Sequence, residues 1–477
     1  MPETIDKNII IVSPPLWYYQ SPPTDILRVA QVLHGHGIKF SIRDLNLESV
    51  EYIVSRYGLP KNLLKNYIMN EDNFFRYELL CKTYESIREA YNVASKPYHP
   101  TKLSLTRFET IHDKRCLESI VEIVNDETAN PYREIFNILV PSILEGNPKI
   151  IAIALFHPDQ IIPVFTLAHV LHMLGYEGHI TLFGNYEDQI CTRDLMGGDP
   201  KGLFEKVMQY FDSIIIGEFE STLVELVRRK ALNGEIGDIR NLLTSKGIRE
   251  YYEDIGKMDV EANLDRDYSK LLPKSDFLPR DVINLVISKG CYWSKCKYCS
   301  IKRHHGRYEI MPVGKAVDLL EYYSSLPRTE VVRFRDYCIS PGYLRKFANE
   351  IMKRGVRAKW TCRARFEKGF DSVTFEMLRE AGCIMLSYGI ETFHWRVSRE
   401  MNKGIDVNNS YNIIQECSRS DIAIKLTALC GFPTETTEEA EFNISRLLSM
   451  SNYVIDIQYN DGSSRFRVGD FHGFRSP

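Results

Sequence analysis

Three cysteines stand close together, Cys291, Cys296 and Cys299, in the stretch Ser288-Lys289-Gly290-Cys291-Tyr292-Trp293-Ser294-Lys295-Cys296-Lys297-Tyr298-Cys299-Ser300. Three bunched thiolates can hold three irons of a cubane iron–sulfur cluster. The fourth iron then lacks a protein ligand, and an open coordination position is where a catalytic metal site takes its substrate. The amine and carboxylate of an amino acid suit such a position. A second chemistry fits the same residues: His304 and His305 follow closely, and three cysteines with one histidine make a closed tetrahedral zinc site. On these residues alone both readings stand. Other cysteines, such as Cys81, Cys191, Cys383 and Cys430, stand singly in apolar surroundings and read as small buried hydrophobes.

The cluster must be held by what precedes it, an apolar run at 282–288 that reads as a strand. Further strands are expected at 330–334, 357–362, 384–389, 423–429 and 453–458, with helices between them at 313–324, 343–354 and 409–418. Six strand–helix alternations imply a partial (β/α)6 barrel over 281–460. In parallel barrels the loops after the strands build the active site, and the cysteines lie on such a loop.

The amino-terminal part is also α/β. Strands are expected at 9–13, 39–44, 149–155, 179–183 and 211–217, and helices at 24–34, 164–174 and 221–230. Short joints between strand, helix and strand imply a parallel sheet. Residues 51–147 are rich in Tyr, Asn, Glu and Lys and read as a helical insertion. The domain is expected over 1–246, a charged, proline-containing linker over 247–280, and a short tail over 461–477.

Composition narrows the classes. Of 477 residues, 44% are hydrophobic and 26% charged, as in an ordinary globular protein, and the net charge of -3 offers no strong field for nucleic acid or an acidic membrane. No signal peptide is seen and no apolar run reaches the roughly 20 residues that span a bilayer. A cytoplasmic location is expected by default, and eleven cysteines there argue against a disulfide framework.

Taken with these cysteines, several segments resemble the radical S-adenosylmethionine (SAM) superfamily, in particular the group with an amino-terminal cobalamin-binding domain. The resemblance covers most of the chain apart from residues 51–147 and the tail. The usual spacing puts three residues between the first two cysteines; here there are four. Tyr298 matches the family's aromatic residue near the adenine. In Phe334-Arg335-Asp336-Tyr337-Cys338, Asp336 matches the acid that receives the methionine ammonium, while the second acid of many relatives is Tyr337 here. Arg365, in Cys362-Arg363-Ala364-Arg365, matches an arginine suited to a carboxylate, with Arg363 a competitor for the same role. Leu386-Ser387-Tyr388-Gly389-Ile390-Glu391-Thr392 is similar to a segment whose glutamate, Glu391, accepts from the ribose hydroxyls, with Ser387 a weaker candidate for the methionine carboxylate. Gly431-Phe432-Pro433 resembles the turn whose bare backbone approaches the adenine, and Met401-Asn402-Lys403-Gly404 fits the pattern between. A zinc module has no reason to carry all of these in order.

The resemblance implies a Rossmann-like cobalamin-binding domain before the barrel, with Ser13 near its start and Gly217-Glu218 as its glycine–glutamate turn. The Asp-x-His-x-x-Gly sequence that places a histidine on cobalt is absent, and the glycine pair expected after the 179–183 strand is reduced to Gly184-Asn185. His157 and Gln160 are candidates to face the corrin. The implied cofactors are a 4Fe–4S cluster, SAM and cobalamin; the implied partners are a small-molecule or peptide substrate and an electron donor such as flavodoxin or ferredoxin. The expected activity is radical cleavage of SAM for cobalamin-dependent C-methylation. The alternatives are radical oxidation, cyclisation or rearrangement without methyl transfer, and a non-catalytic zinc scaffold.

Overall fold

The computed structural model describes residues 5–16, 24–58, 76–114, 116–184, 205–216, 219–248, 280–299, 308–460 and 465–467. The chain forms two compact units, Met1–Asp281 and Val282–Pro477.

The first unit contains strands β1 (Ile5–Ser13), β2 (Ile38–Asp44), a short hairpin of β3 (Lys102–Leu103) and β4 (Phe108–Glu109), then β5 (Ile150–Leu155), β6 (His179–Gly184), β7 (Ser213–Ile215), β8 (Leu242–Thr244) and β9 (Gly247–Ile248). Its main sheet has the order β2-β1-β5-β6-β7-β8-β9. Strands β2 to β7 in that order run parallel, and β8 and β9 are antiparallel additions. Every residue of β5 and β6 is buried, as expected for a parallel sheet covered on both faces. β7 is shorter than the expected 211–217 strand because Asp212 is used otherwise. Its backbone amide donates to the Ile180 carbonyl, and its carboxylate accepts from the Ile180 amide at 2.8 Å.

The 51–147 region holds helices Tyr77–Ser95, Leu117–Asn125, Pro131–Leu139 and Pro141–Leu144, as its composition implies, together with the β3–β4 hairpin. It covers one face of the sheet: Phe108, Tyr132 and Phe136 stack on one another and share a core with Val12, Ile151 and Ile153. Asn130 ties it down by accepting from the Tyr132 amide and donating to Thr166 Oγ1 on helix Ile161–Met173. That helix is apolar on nearly all sides because it is enclosed on nearly all sides.

The second unit contains β10 (Asp281–Leu285), a small ribbon of β11 (Ser288–Lys289) and β12 (Glu309–Ile310), then β13 (Thr329–Phe334), β14 (Trp360–Ala364), β15 (Cys383–Glu391), β16 (Ala423–Leu429), β17 (Asp456–Asn460) and β18 (Arg465–Arg467). The sheet runs β10-β13-β14-β15-β16-β17-β18, parallel from β13 to β17 and antiparallel at β18. Helices Val313–Ser324, Pro341–Arg354, Ser372–Glu380, Val407–Arg419 and Thr437–Ser449 alternate with the strands. This is the six-stranded partial barrel, with β18 drawn from the stretch expected to be tail. β14 begins later than the expected 357–362, because fully buried Trp360 is the first side chain to enter the core, packing edge-on against Phe334 and Phe347.

Candidate active site

The cysteine loop leaves the sheet through β11, beyond the end of β10. Asp336 fixes that exit. It is 1% exposed, and one carboxylate oxygen accepts from the Ile287 amide at 3.0 Å and from Ser288 Oγ at 2.5 Å. Its other oxygen has no partner among the described residues. Burial raises the carboxyl to about 6, against those hydrogen bonds. Asp336 thus holds the root of the cysteine loop with one oxygen and leaves the other without a partner among the described residues.

The loop is sewn onto residues 401–404. Trp293 Nε1 donates to the Asn402 carbonyl at 2.9 Å, Asn402 Nδ2 donates to the Lys295 carbonyl at 3.0 Å, and the Lys297 amide donates to the Met401 carbonyl at 2.9 Å. Gly404 has φ +67, and a Cβ built on it would lie 1.9 Å from the Trp293 ring, so only glycine lets the indole sit there. The fourth residue between Cys291 and Cys296 is accommodated by Ser294, whose φ is 48.

Cys291 is half-buried and its sulfur lies 3.2 Å from that of Cys338. Its thiol is pulled down to about 5, first by the Cys338 hydrogen bond and then, against burial, by the Ser294 and Trp293 amides and by Arg365. The same bond and burial push Cys338 up. Cys338 stands 47 positions away in sequence and only the folded sheet reveals it as part of the site. All three loop cysteines are free thiols. Three thiols on one loop, one already drawn to the thiolate form that metals bind, fit a 4Fe–4S cluster. Among the described residues no three His, Cys, Asp or Glu side chains converge to hold a single metal ion. His304 and His305 lie outside the described residues.

Lys403 is the second residue that the sequence did not single out. Its ammonium is 8% exposed and lies 2.9 Å from Glu391 Oε1 and 2.9 Å from Tyr298 Oη. Its carbonyl accepts from Arg365 at 2.7 Å. Burial and the Glu391 and Cys296 charges push the Tyr298 phenol far up, so it stays protonated. The Arg365 guanidinium lies over the Trp293 ring at 4.7 Å and 3.5 Å from Glu367. Tyr298, Arg365, Glu391 and the cysteine loop are therefore brought together around Lys403. Glu391 itself has φ +60, where β15 slips register against β16.

Ser387 lies lower, on the inner face of the sheet between Arg363 and Lys425. Gly431 has φ +78, and its amide and that of Phe432 donate to the Glu435 carboxylate, with Pro433 exposed in the same turn. In the first unit Ser13 ends β1, 1% exposed, and its hydroxyl has no partner among the described residues. Gln160 is fully buried: its oxygen accepts from the Phe156 and His157 amides and its nitrogen donates to the Pro14 carbonyl. It is a strut between two loops. His157 points its Nδ1 toward Asp159. Gly217 and Glu218 lie outside the described residues.

A thiol-bearing loop at the carboxyl end of a partial barrel defines a class, and comparison with known proteins names it. Residues 285–444 match the family described as the Radical SAM superfamily. Those residues of the second unit are a radical SAM domain, a family whose members use a 4Fe–4S cluster and SAM. The chain is 24% identical over 250 residues to an uncharacterized methyltransferase of Pyrococcus horikoshii, covering 49% of this chain and 52% of that one. It spans about half the length of the curated relatives it matches. Its fold is shared with TsrM, a radical SAM methyltransferase from Kitasatospora setae solved with cobalamin and a [4Fe–4S] cluster bound. There the TM-score is 0.57 at 12% identity, over 95% of this chain and 74% of that one. It is shared also with the cobalamin-dependent SAM radical enzyme OxsB, at TM-score 0.57 and 10% identity, over 94% of this chain and 53% of that one. Among the described residues no helix is long and apolar enough to cross a membrane.

Proposed function

We propose that this chain cleaves SAM reductively at a cluster held by Cys291, Cys296 and Cys299, for cobalamin-dependent C-methylation of an unactivated carbon. The observation that carries the reading is the stapled thiol loop with Asp336, Arg365, Glu391 and Tyr298 gathered at its side. Cys291, Cys296 and Cys299 would hold a 4Fe–4S cluster, which would supply the single electron that cleavage of the carbon–sulfur bond of SAM needs, and cobalamin held by the first unit would supply a transferable methyl group. The protein's own residues position and exclude water. The free oxygen of Asp336 suits the methionine ammonium as a charge-assisted hydrogen bond, and the Arg365 guanidinium suits the carboxylate. Tyr298, kept neutral, offers a flat face for the adenine, and Glu391 can accept from ribose hydroxyls.

One observation favours radical chemistry without methyl transfer. Gly184, at φ +146, allows β6 to approach the Leu155 carbonyl, but the next residue is Asn185, so the glycine pair that would admit a cofactor tail is incomplete. Electron paramagnetic resonance of anaerobically reconstituted protein, offered cobalamin during expression, separates the readings. A reduced cluster signal that changes with SAM, together with cob(II)alamin, supports methyl transfer. The cluster signal without cobalt supports the second reading. No cluster after full reconstitution removes both.

A further inference from the structure

Cys338 is not one of the three loop cysteines, yet it shares their site. It follows Asp336 by two residues, beyond the end of β13, and is 2% exposed. The backbone is pinned on both sides of it. Before it, the Arg335 amide donates to the Leu285 carbonyl at 2.7 Å, and the Asp336 carboxylate accepts from Ile287 and Ser288. After it, the Ile339 amide donates to the Arg363 carbonyl at 2.9 Å, where Ile339 bridges to Ala364 of β14. Ser340 then caps helix Pro341–Arg354 by accepting from the Tyr343 amide. Cys338 is therefore anchored to the sheet and not to the cysteine loop, and it holds its sulfur 3.2 Å from that of Cys291.

Between two free thiols such a bond can run either way. Metal binding removes that freedom, because a cysteine binds iron as the thiolate, without its proton. Once Cys291 is a ligand, the one proton between the two sulfurs belongs to Cys338, and the bond runs from Cys338 to Cys291. A second thiolate at this distance, in so enclosed a place, would set two like charges side by side out of water, so Cys338 stays a thiol. The Tyr292 amide already donates to the Cys338 sulfur, which leaves the thiol proton as the group Cys338 has to give. The Trp293 and Ser294 amides reach the Cys291 sulfur as well, but they travel with the loop, whereas Cys338 does not. Hydrogen bonds to ligand sulfurs are among the levers that set the reduction potential of an iron–sulfur cluster, since each draws negative charge away from the iron.

We propose that Cys338 is a positioning residue for the radical chemistry: its S–H donates to the Cys291 sulfur, ties that ligand to the sheet and raises the reduction potential of a cluster held there. The inference rests on the reading of Cys291, Cys296 and Cys299 as cluster ligands and deepens it.

The test is a redox titration of the anaerobically reconstituted full chain, with dithionite as reductant and electron paramagnetic resonance as the readout. C338A removes the donor, and at a fixed solution potential the ratio of reduced to oxidised cluster is expected to fall about fivefold, the weight of one hydrogen bond. C338S still carries a donor and should stay close to the unaltered chain. C338V and C338T repeat the contrast in two side chains of one shape, so the comparison survives if C338A takes up no cluster. C417A removes an equally buried thiol from helix Val407–Arg419 and should leave the potential where it was. A merely structural role for Cys338 would change how much cluster is held and not its potential. Equal potentials in C338A, C338S and the unaltered chain, or a higher one in C338A, overturn this inference alone and leave the cluster reading standing. No cluster in the unaltered chain overturns both.

Discussion

Replacing Lys403 by methionine removes one side of a buried ion pair and leaves the other side in place. The Lys403 and Glu391 side chains are 8% and 11% exposed and 2.9 Å apart, and Lys403 also donates to Tyr298. Breaking a buried pair from one side costs about 3–5 kcal/mol, because a charge stays behind without its partner. Against a typical stability of about 5–15 kcal/mol that is a large fraction. K403M is therefore expected to unfold at markedly lower urea, and E391Q, which strands the ammonium instead, to lose a similar amount. The double variant K403M/E391Q strands neither charge and should lose far less than the sum, a coupling of about 2–3 kcal/mol. Three of the four tryptophans, Trp293, Trp360 and Trp395, lie in the second unit, so indole fluorescence during anaerobic urea unfolding reports mainly on the unit in question. A K403M cost below about 1 kcal/mol, or additive losses in the double variant, would refute the reasoning that a buried pair organises this site.

Other perturbations have equally definite outcomes. Gln160→Ala strips the Phe156 and His157 amides and the Pro14 carbonyl of partners at once, so the first unit should lose about 3 kcal/mol or more; rapid hydrogen exchange at those two amides is the readout, and unchanged protection refutes it. The Asp336 carboxyl sits at about 6, above the ordinary 3.8, so its contribution to stability is full below pH about 4 and is lost as pH rises to about 6. D336N keeps an acceptor for Ile287 and Ser288 and should flatten that part of the urea-midpoint profile of the cluster-free chain. With the two sulfurs 3.2 Å apart, air should convert cluster-free protein to a Cys291–Cys338 disulfide, two thiols giving up two protons and two electrons to oxygen. Peptide mass spectrometry should find that link, and C338S should abolish it and leave Cys291 open to alkylation.

The architecture was legible because it is written in local patterns. Alternating apolar runs of strand and helix length placed every barrel strand from β13 to β17 within a few residues, and β16 at its full extent. The shifts have particular causes, such as Asp212 leaving β7 to cap Ile180 and Trp360 setting where β14 enters the core. The site was half legible. Residues tied to a motif could be named, but their partners come from distant positions that no spacing encodes. Cys338 meets Cys291, Lys403 meets both Tyr298 and Glu391, and Gly404 makes room for Trp293. Asp336 was read as a ligand for SAM, yet one of its oxygens is occupied in holding the loop. Gln160 was only a candidate to face a cofactor, and its hydrogen bonds to Phe156, His157 and Pro14 make it a strut between two loops.

The short strand β18 bears on how this protein behaves in concentrated solution. A parallel sheet that does not close into a ring ends in a strand with unpaired amides and carbonyls, a ready template for another chain. β18 pairs antiparallel with β17 through Arg465, Phe466 and Arg467, so among the described residues the last strand of the sheet is a three-residue one with two arginines in its sequence. Charge and brevity are the usual means of making such a border unattractive to neighbours. A chain cut before Arg465 would bare β17 instead, and self-association during expression is the expected penalty.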